Sequence, residues 1–214
     1  MSTIKLNSVI PEIFVHNTEL TSDIWRNEIT FDQGQKYLIE ADSGTGKSSL
    51  CSYIYGLRSD YQGQILLDDH DISKFSIAKW CDIRQNEISI LFQDLRLFGE
   101  LTAMENVKIK HRLHKVHNKK VIKAWFEQLG IADKMDIRID HMSYGQQQRV
   151  ALIRALCQPF KFLILDEPIS HLDDRNSDIM RDIILCEVER QGAGLIATSI
   201  GKHMNIEYDK ILSL

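Results

Sequence analysis

The sequence predicts an α/β fold: a mostly parallel sheet covered on both faces, with a small helical subdomain inserted into it. Three observations predict it. Short runs rich in Ile, Val, Leu, Phe and Tyr alternate with helix-type stretches. A glycine-containing loop, Ser43–Ser49, joins one such strand to a helix. A charged segment from about Glu105 to Asp140 carries no strand signal at all.

Taken in chain order, strands are expected at Ile4–Phe14, Ile24–Phe31 and Gln35–Glu40. The pattern then turns helical from Lys47, through Leu50, Tyr53, Ile54 and Leu57, and ends near the turn at Gln62-Gly63. Gln64–Leu67 and Ile88–Phe92 read as strands, and the helical segment follows. A strand at Phe162–Leu165, a helix over Asn176–Gln191, a strand at Gly194–Thr198 and a last strand at Lys210–Leu214 complete the chain. There is no internal repeat, low-complexity stretch or Pro/Gly-rich linker, so a single domain is expected.

With 214 residues and 43% apolar content the chain can build a sizeable core. No apolar run reaches the ~18–20 residues of a membrane span, and the first residues lack a secretory pattern. A cytoplasmic location is expected. Cys51, Cys81, Cys157 and Cys186 form no paired spacing, so four reduced, mostly buried thiols are expected rather than a disulfide or zinc framework. The net charge of -4 argues against a general nucleic-acid binder. One stretch departs from that balance: Lys108 to Lys123 holds seven Lys or Arg residues and no acid. It reads as a solvated helical face, or as a surface for anionic lipid or an acidic partner. His111, His114 and His117 lack a nearby carboxylate or thiol in the sequence and read as a wet helix face rather than a metal site.

The chemistry concentrates at two places. In the loop of Ala41, Asp42, Ser43, Gly44, Thr45, Gly46, Lys47, Ser48 and Ser49, the glycines let successive N–H groups turn toward phosphate oxygens. The following helix adds the positive end of its dipole. Lys47 offers an ammonium to the β and γ phosphates of a nucleoside triphosphate, and Ser48 a hydroxyl to Mg²⁺. Downstream, the apolar run Phe162–Leu165 ends in Asp166 and Glu167. Asp166 is placed to hold Mg²⁺ and Glu167 to take a proton from, or orient, an attacking water. The usual loop begins with glycine where this chain has Ala41, a change that costs about 1 kcal/mol if the site needs positive φ.

Between these elements His141-Met-Ser-Tyr-Gly-Gln-Gln-Gln-Arg-Val150 resembles the signature of ATP-binding cassette (ABC) ATPases, through Ser143, Gly145, Gln146, Gln148 and Arg149. Tyr144 replaces a glycine of that signature. Leu91-Phe-Gln93-Asp94 resembles the Q-loop, Ser170-His-Leu-Asp173 the D-loop, and Leu101–Val107 the opening of the family's helical subdomain. The resemblance implies a P-loop NTPase core with N-terminal antiparallel strands. Residues 1–214 would form one ATPase domain, with approximately 1–92 and 158–214 as the nucleotide-binding core and 93–157 as the helical subdomain.

The family implies a homodimer or heterodimer of such domains around two Mg-ATP. Ser143, Gly145, Gln146 and Asp173 would reach the nucleotide across the interface, with Gln93 and Asp166 beside Ser48 at the metal. Phe14 and His16 are the candidates for stacking on adenine. Ser199 occupies the place of the family's histidine, which implies slow hydrolysis, and His203 is not its equivalent. The chain most resembles the compact subunits of lipoprotein-releasing, macrolide-efflux and cell-division systems, which lack an added C-terminal domain. The expected role is the ATP-hydrolysing subunit of a membrane complex, peripheral on the inner face of the membrane through transmembrane permease subunits. Two other roles compete: an ATP-gated module with little hydrolysis, and a soluble ATPase of DNA maintenance, which would need coiled coils this chain has no room for.

Overall fold

A computed structural model describes residues 1–169 and 173–214. The elements, in order, are β1 (Thr3–Pro11), β2 (Glu28–Asp32), β3 (Lys36–Glu40), α1 (Lys47–Ile54), β4 (Tyr61–Leu67), β5 (His70–Asp71), α2 (Ile77–Asn86), β6 (Ile88–Leu91), α3 (Ala103–His114), α4 (Lys119–Gln128), α5 (Tyr144–Leu156), β7 (Phe162–Leu165), α6 (Asp174–Gln191), β8 (Gly194–Ser199) and β9 (Lys210–Ser213).

Two sheets form. One is parallel throughout, in the order β6-β7-β8-β3-β9; the other is antiparallel, β2-β1-β4-β5. β7 and β8 are buried along their whole length, as apolar runs central to a parallel sheet should be. The two-residue period of each strand sorts its side chains between two cores. Leu38, Leu163, Leu165, Leu195 and Ala197 join α5 and α6 in one. Tyr37, Ile39, Phe162, Ile164 and Ile196 join α1 and the antiparallel sheet in the other. The parallel sheet is therefore helix-covered on one face, while its other face is shared between helix and a second sheet.

Several expected boundaries shift, each for a local reason. β1 stops at Pro11, which has no N–H to continue a ladder, and Glu12–Phe14 becomes a 3-10 turn. Ile24 does not open a strand: Ser22 Oγ accepts from the N–H groups of Ile24 and Trp25 at 3.0 and 2.9 Å, and holds a turn before β2. α1 ends at Ile54 rather than running through Leu57, because Gly56 takes φ 69°. A side chain on Gly56 would also meet the Trp80 ring at 2.3 Å. The α2 helix went unread in the sequence; Ile83 is its one buried residue, so it carries little periodic signal.

The segment after β6 is helical as expected, and its helices carry strong caps. Thr102 and Glu105 form a capping box at α3, Ser143 and Gln146 another at α5, and the Asn118 side chain caps α4. The basic stretch is less wet than its composition suggests. Lys110 is bonded to Gln158 Oε1, and burial, with Arg154 and Arg84 nearby, lowers its pKa to about 8. His117 is buried against Trp125, with Nε2 3.2 Å from Glu187 Oε2. All four cysteines are free, but Cys81 and Cys186 are exposed, against the expectation of mostly buried thiols. Among the described residues no helix is long and apolar enough to cross a membrane.

Candidate active site

The parallel pairing of β3, β7 and β8 brings the two chemical elements together. The loop Ala41–Gly46 leaves the end of β3, and Asp166 and Glu167 leave the end of β7, with β8 hydrogen-bonded between them. Gly44 and Gly46 take φ of 86° and 106°, so both need the freedom that glycine has. Ala41 is absent from the residues with positive φ. Its methyl group therefore strains nothing, and the penalty considered from the sequence does not arise.

Trp25 braces this loop. Its Nε1 donates to Thr45 O at 3.1 Å, and a Cβ on Gly46 would lie 3.1 Å from the Trp25 ring and 3.3 Å from Phe14. Phe14 is thus packed against the loop, whereas His16 is exposed. Thr45 Oγ1 also donates to Asp42 O at 2.9 Å, closing the loop on itself. Trp25 carried no motif in the sequence, and only the tertiary contact identifies it.

Lys47 is 4% exposed, and its Nζ donates to Ala41 O at 3.0 Å and Asp42 O at 2.7 Å. The same ammonium lies 3.8 Å from Glu167 Oε1. Ser48 Oγ donates to Gln93 Oε1 at 3.2 Å, and Gln93 Nε2 donates to Glu167 Oε2 at 3.1 Å. Lys47, Ser48, Gln93 and Glu167 therefore form a connected circuit of side chains drawn from α1, the end of β6 and the end of β7. Ser49 lies outside it, with its hydroxyl accepting from Arg58 at 2.8 Å.

Thr198, at the end of β8, fixes the carboxylate pair. Its hydroxyl donates to Asp166 Oδ1 at 2.9 Å and accepts from the Glu167 N–H at 3.0 Å. The parallel β7–β8 pairing was the missing signal for Thr198. Burial raises the Asp166 carboxyl above its ordinary range, opposed by hydrogen bonds from Ser48 and Thr198 and by Lys47. Glu167 takes φ 52°, a conformation that non-glycine residues adopt at a cost of about 1–3 kcal/mol.

Ser199 is buried beside the loop, where its carbonyl accepts from Ala41 N at 3.2 Å. Its hydroxyl donates to Lys202 O at 2.7 Å. His203 is half-exposed with Nδ1 3.4 Å from Glu40 Oε1.

The signature residues sit at the start of α5. Ser143 Oγ accepts from Gln146 N at 3.4 Å, and Gln146 Oε1 accepts from Ser143 N at 3.0 Å. Gly145 O accepts from Arg149 Nε at 2.9 Å, and Gln148 Nε2 donates to Pro168 O at 2.7 Å. Asp173 caps α6 through Asn176, whose hydrogen bonds lower its pKa. Ser170–Leu172 of the expected D-loop lie outside the described residues.

The chain is similar to known proteins over most of its length. The family model described as ABC transporter matches residues 26–170. The thiamine import ATP-binding protein of Haemophilus ducreyi is 32% identical over 85% of this chain and 84% of its own length. A lipoprotein-releasing system ATP-binding protein of Rhodopseudomonas palustris is 29% identical, over 85% of this chain and 79% of its own. Among solved structures, a dimeric ATP-binding cassette in a post-hydrolysis state with ADP and Pi superposes with a TM-score of 0.74. That match is 23% identical and covers 92% of this chain and 87% of the other, so it bears on the fold. With the family model spanning more than half of its length, the chain belongs to the ABC transporter family, as one of its ATPase subunits.

Proposed function

We propose that the circuit of Lys47, Ser48, Gln93 and Glu167, with Asp166 beside it, is the hydrolytic centre, and that its connectivity is the observation carrying this reading. Lys47 exchanges the carbonyls of Ala41 and Asp42 for phosphate oxygens, while the N–H groups of Ser43 to Ser48 line the phosphates. Glu167, poised by Gln93 and Thr198, takes the proton of the attacking water. Phe14, packed on the loop, is the better of the two candidates for meeting the adenine.

Ser48, Gln93 and Asp166 offer only oxygen donors, which suit Mg²⁺. Burial already disfavours an uncompensated Asp166 anion, as fits a place for a cation. When bound there, Mg²⁺ supplies charge neutralisation at the β and γ phosphates.

Ser143, Gly145, Gln146 and Asp173 serve the nucleotide of a second copy or a related domain. The Ser143 hydroxyl oxygen accepts from its own helix, which leaves the hydroxyl proton for donation outward. Residues 93–157 move as the helical subdomain against the core, and permease subunits at the inner face of the membrane receive that movement. Basal turnover is slow, because the Ser199 hydroxyl is already committed to Lys202 O.

Titration with a fluorescent ATP analogue tests the centre. Lys47→Ala should weaken binding about ten- to a hundred-fold, as expected for the loss of a charge-assisted contact of about 1.5–3 kcal/mol. Equal affinity in parent and variant overturns the assignment.

A further inference from the structure

The loop that carries Gln93 is held at two points by a single helix. Tyr144, the first residue of α5, donates its hydroxyl to Gln93 O at 2.6 Å. Arg154, in the last turn of the same helix, donates to Leu95 O and Arg96 O, each at 2.7 Å. The two anchors lie ten residues apart on α5, about 15 Å along its axis. Between them the loop is strained: Leu95 and Arg96 take consecutive φ values of 57° and 47°, a conformation that persists only where surrounding contacts enforce it. The anchored residue is the one whose side chain bridges Ser48 to Glu167.

We propose that Tyr144 is a positioning residue: its bond to the Gln93 carbonyl fixes the Ser48–Gln93–Glu167 bridge and ties it to Ser143, the next residue back at the helix start. The proposal rests on the hydrolytic reading above. Through this tether a displacement of Gln93 at the chain's own nucleotide shifts the N-terminus of α5, the surface offered to the second copy. A glycine at position 144 has no side chain to make the link. The coupling is a rigid one, since α5 is thirteen residues of continuous helix with Val150, Leu152, Ile153 and Leu156 buried in the core.

Tyr144→Phe keeps the ring and removes only the donor. In the full-length chain it should lower kcat for Mg-ATP hydrolysis about three- to tenfold, in line with one lost hydrogen bond. KM should stay within about twofold, and the melting temperature should be unchanged. Hydrogen exchange of the amides of residues 93–96 should rise, while that of the α5 interior stays the same. An unchanged kcat with unchanged exchange overturns the proposal. So does a kcat that falls together with the melting temperature, which would mean a general packing defect. Glu167→Gln, run alongside, separates the two readings. If turnover survives that substitution the hydrolytic centre is misassigned; if Glu167→Gln abolishes turnover and Tyr144→Phe leaves kcat unaltered, only the tether fails.

Discussion

Replacing Glu167 by glutamine removes one charge and leaves the side-chain shape intact. The carboxylate is 8% exposed, and its partner Lys47, at 3.8 Å, is 4% exposed. At that separation and an effective dielectric of about 20, the gross attraction is roughly 4 kcal/mol. Desolvation offsets much of it. Lys47 also keeps the carbonyls of Ala41 and Asp42, so the folded chain should lose only about 1–2 kcal/mol, less than for a lone buried charge. Binding of ATP should be preserved or tightened, because an anion is removed from beside the ammonium proposed to meet the phosphates. Turnover should fall about a hundred- to ten-thousand-fold with the loss of the proposed general base. Phosphate release at saturating Mg-ATP, paired with titration of a fluorescent analogue, measures both effects. Size-exclusion chromatography with Mg-ATP should then show a trapped dimer. Turnover within about threefold of the parent would refute the role given to Glu167, and a monomer in both nucleotide conditions would count against the shared-nucleotide arrangement.

Two further outcomes follow from the neighbouring elements. Ser199→His should raise the hydrolysis rate about thirtyfold or more by restoring a donor at the end of β8, a gain of about 2 kcal/mol in the transition state. Loss of the Ser199–Lys202 bond should cost about 1 kcal/mol of stability; a variant that binds ATP equally but turns over no faster refutes the alignment of this position. Lys110→Met should stabilise the chain by about 1 kcal/mol at pH 7, since it removes a charge whose burial is unfavourable while giving up the bond to Gln158. The folded pKa of about 8 lies below the unfolded value of roughly 10.4, so the folded state binds fewer protons in that window. The parent should therefore gain stability as pH rises from about 8 to about 10.4, and the advantage of Lys110→Met should disappear by the top of that range. Thermal melts across pH 7–10.5 check this, and parallel melting curves for parent and variant would show that Lys110 is not the titrating group.

The sequence by itself determined the class of fold and the family, and it pointed to the chemistry proposed above. Gly44, Gly46 and Lys47 between a strand and a helix, and an apolar strand ending in Asp166-Glu167, announce a phosphate site because both depend on short spacings along the chain. The alternation of short apolar strands with helical stretches announced a mostly parallel sheet for the same local reason. Tertiary structure alone decided how these parts meet. Trp25 under the loop, Thr198 between the carboxylates and Tyr144 on the Gln93 carbonyl join residues 20 to 51 positions apart in sequence, and no periodicity encodes a long-range hydrogen bond. The same holds for burial. Ala41 proved unstrained, and within a stretch that reads as polar Lys110 proved half-buried and His117 buried, because exposure is set by which helix face packs and not by the residue's own type.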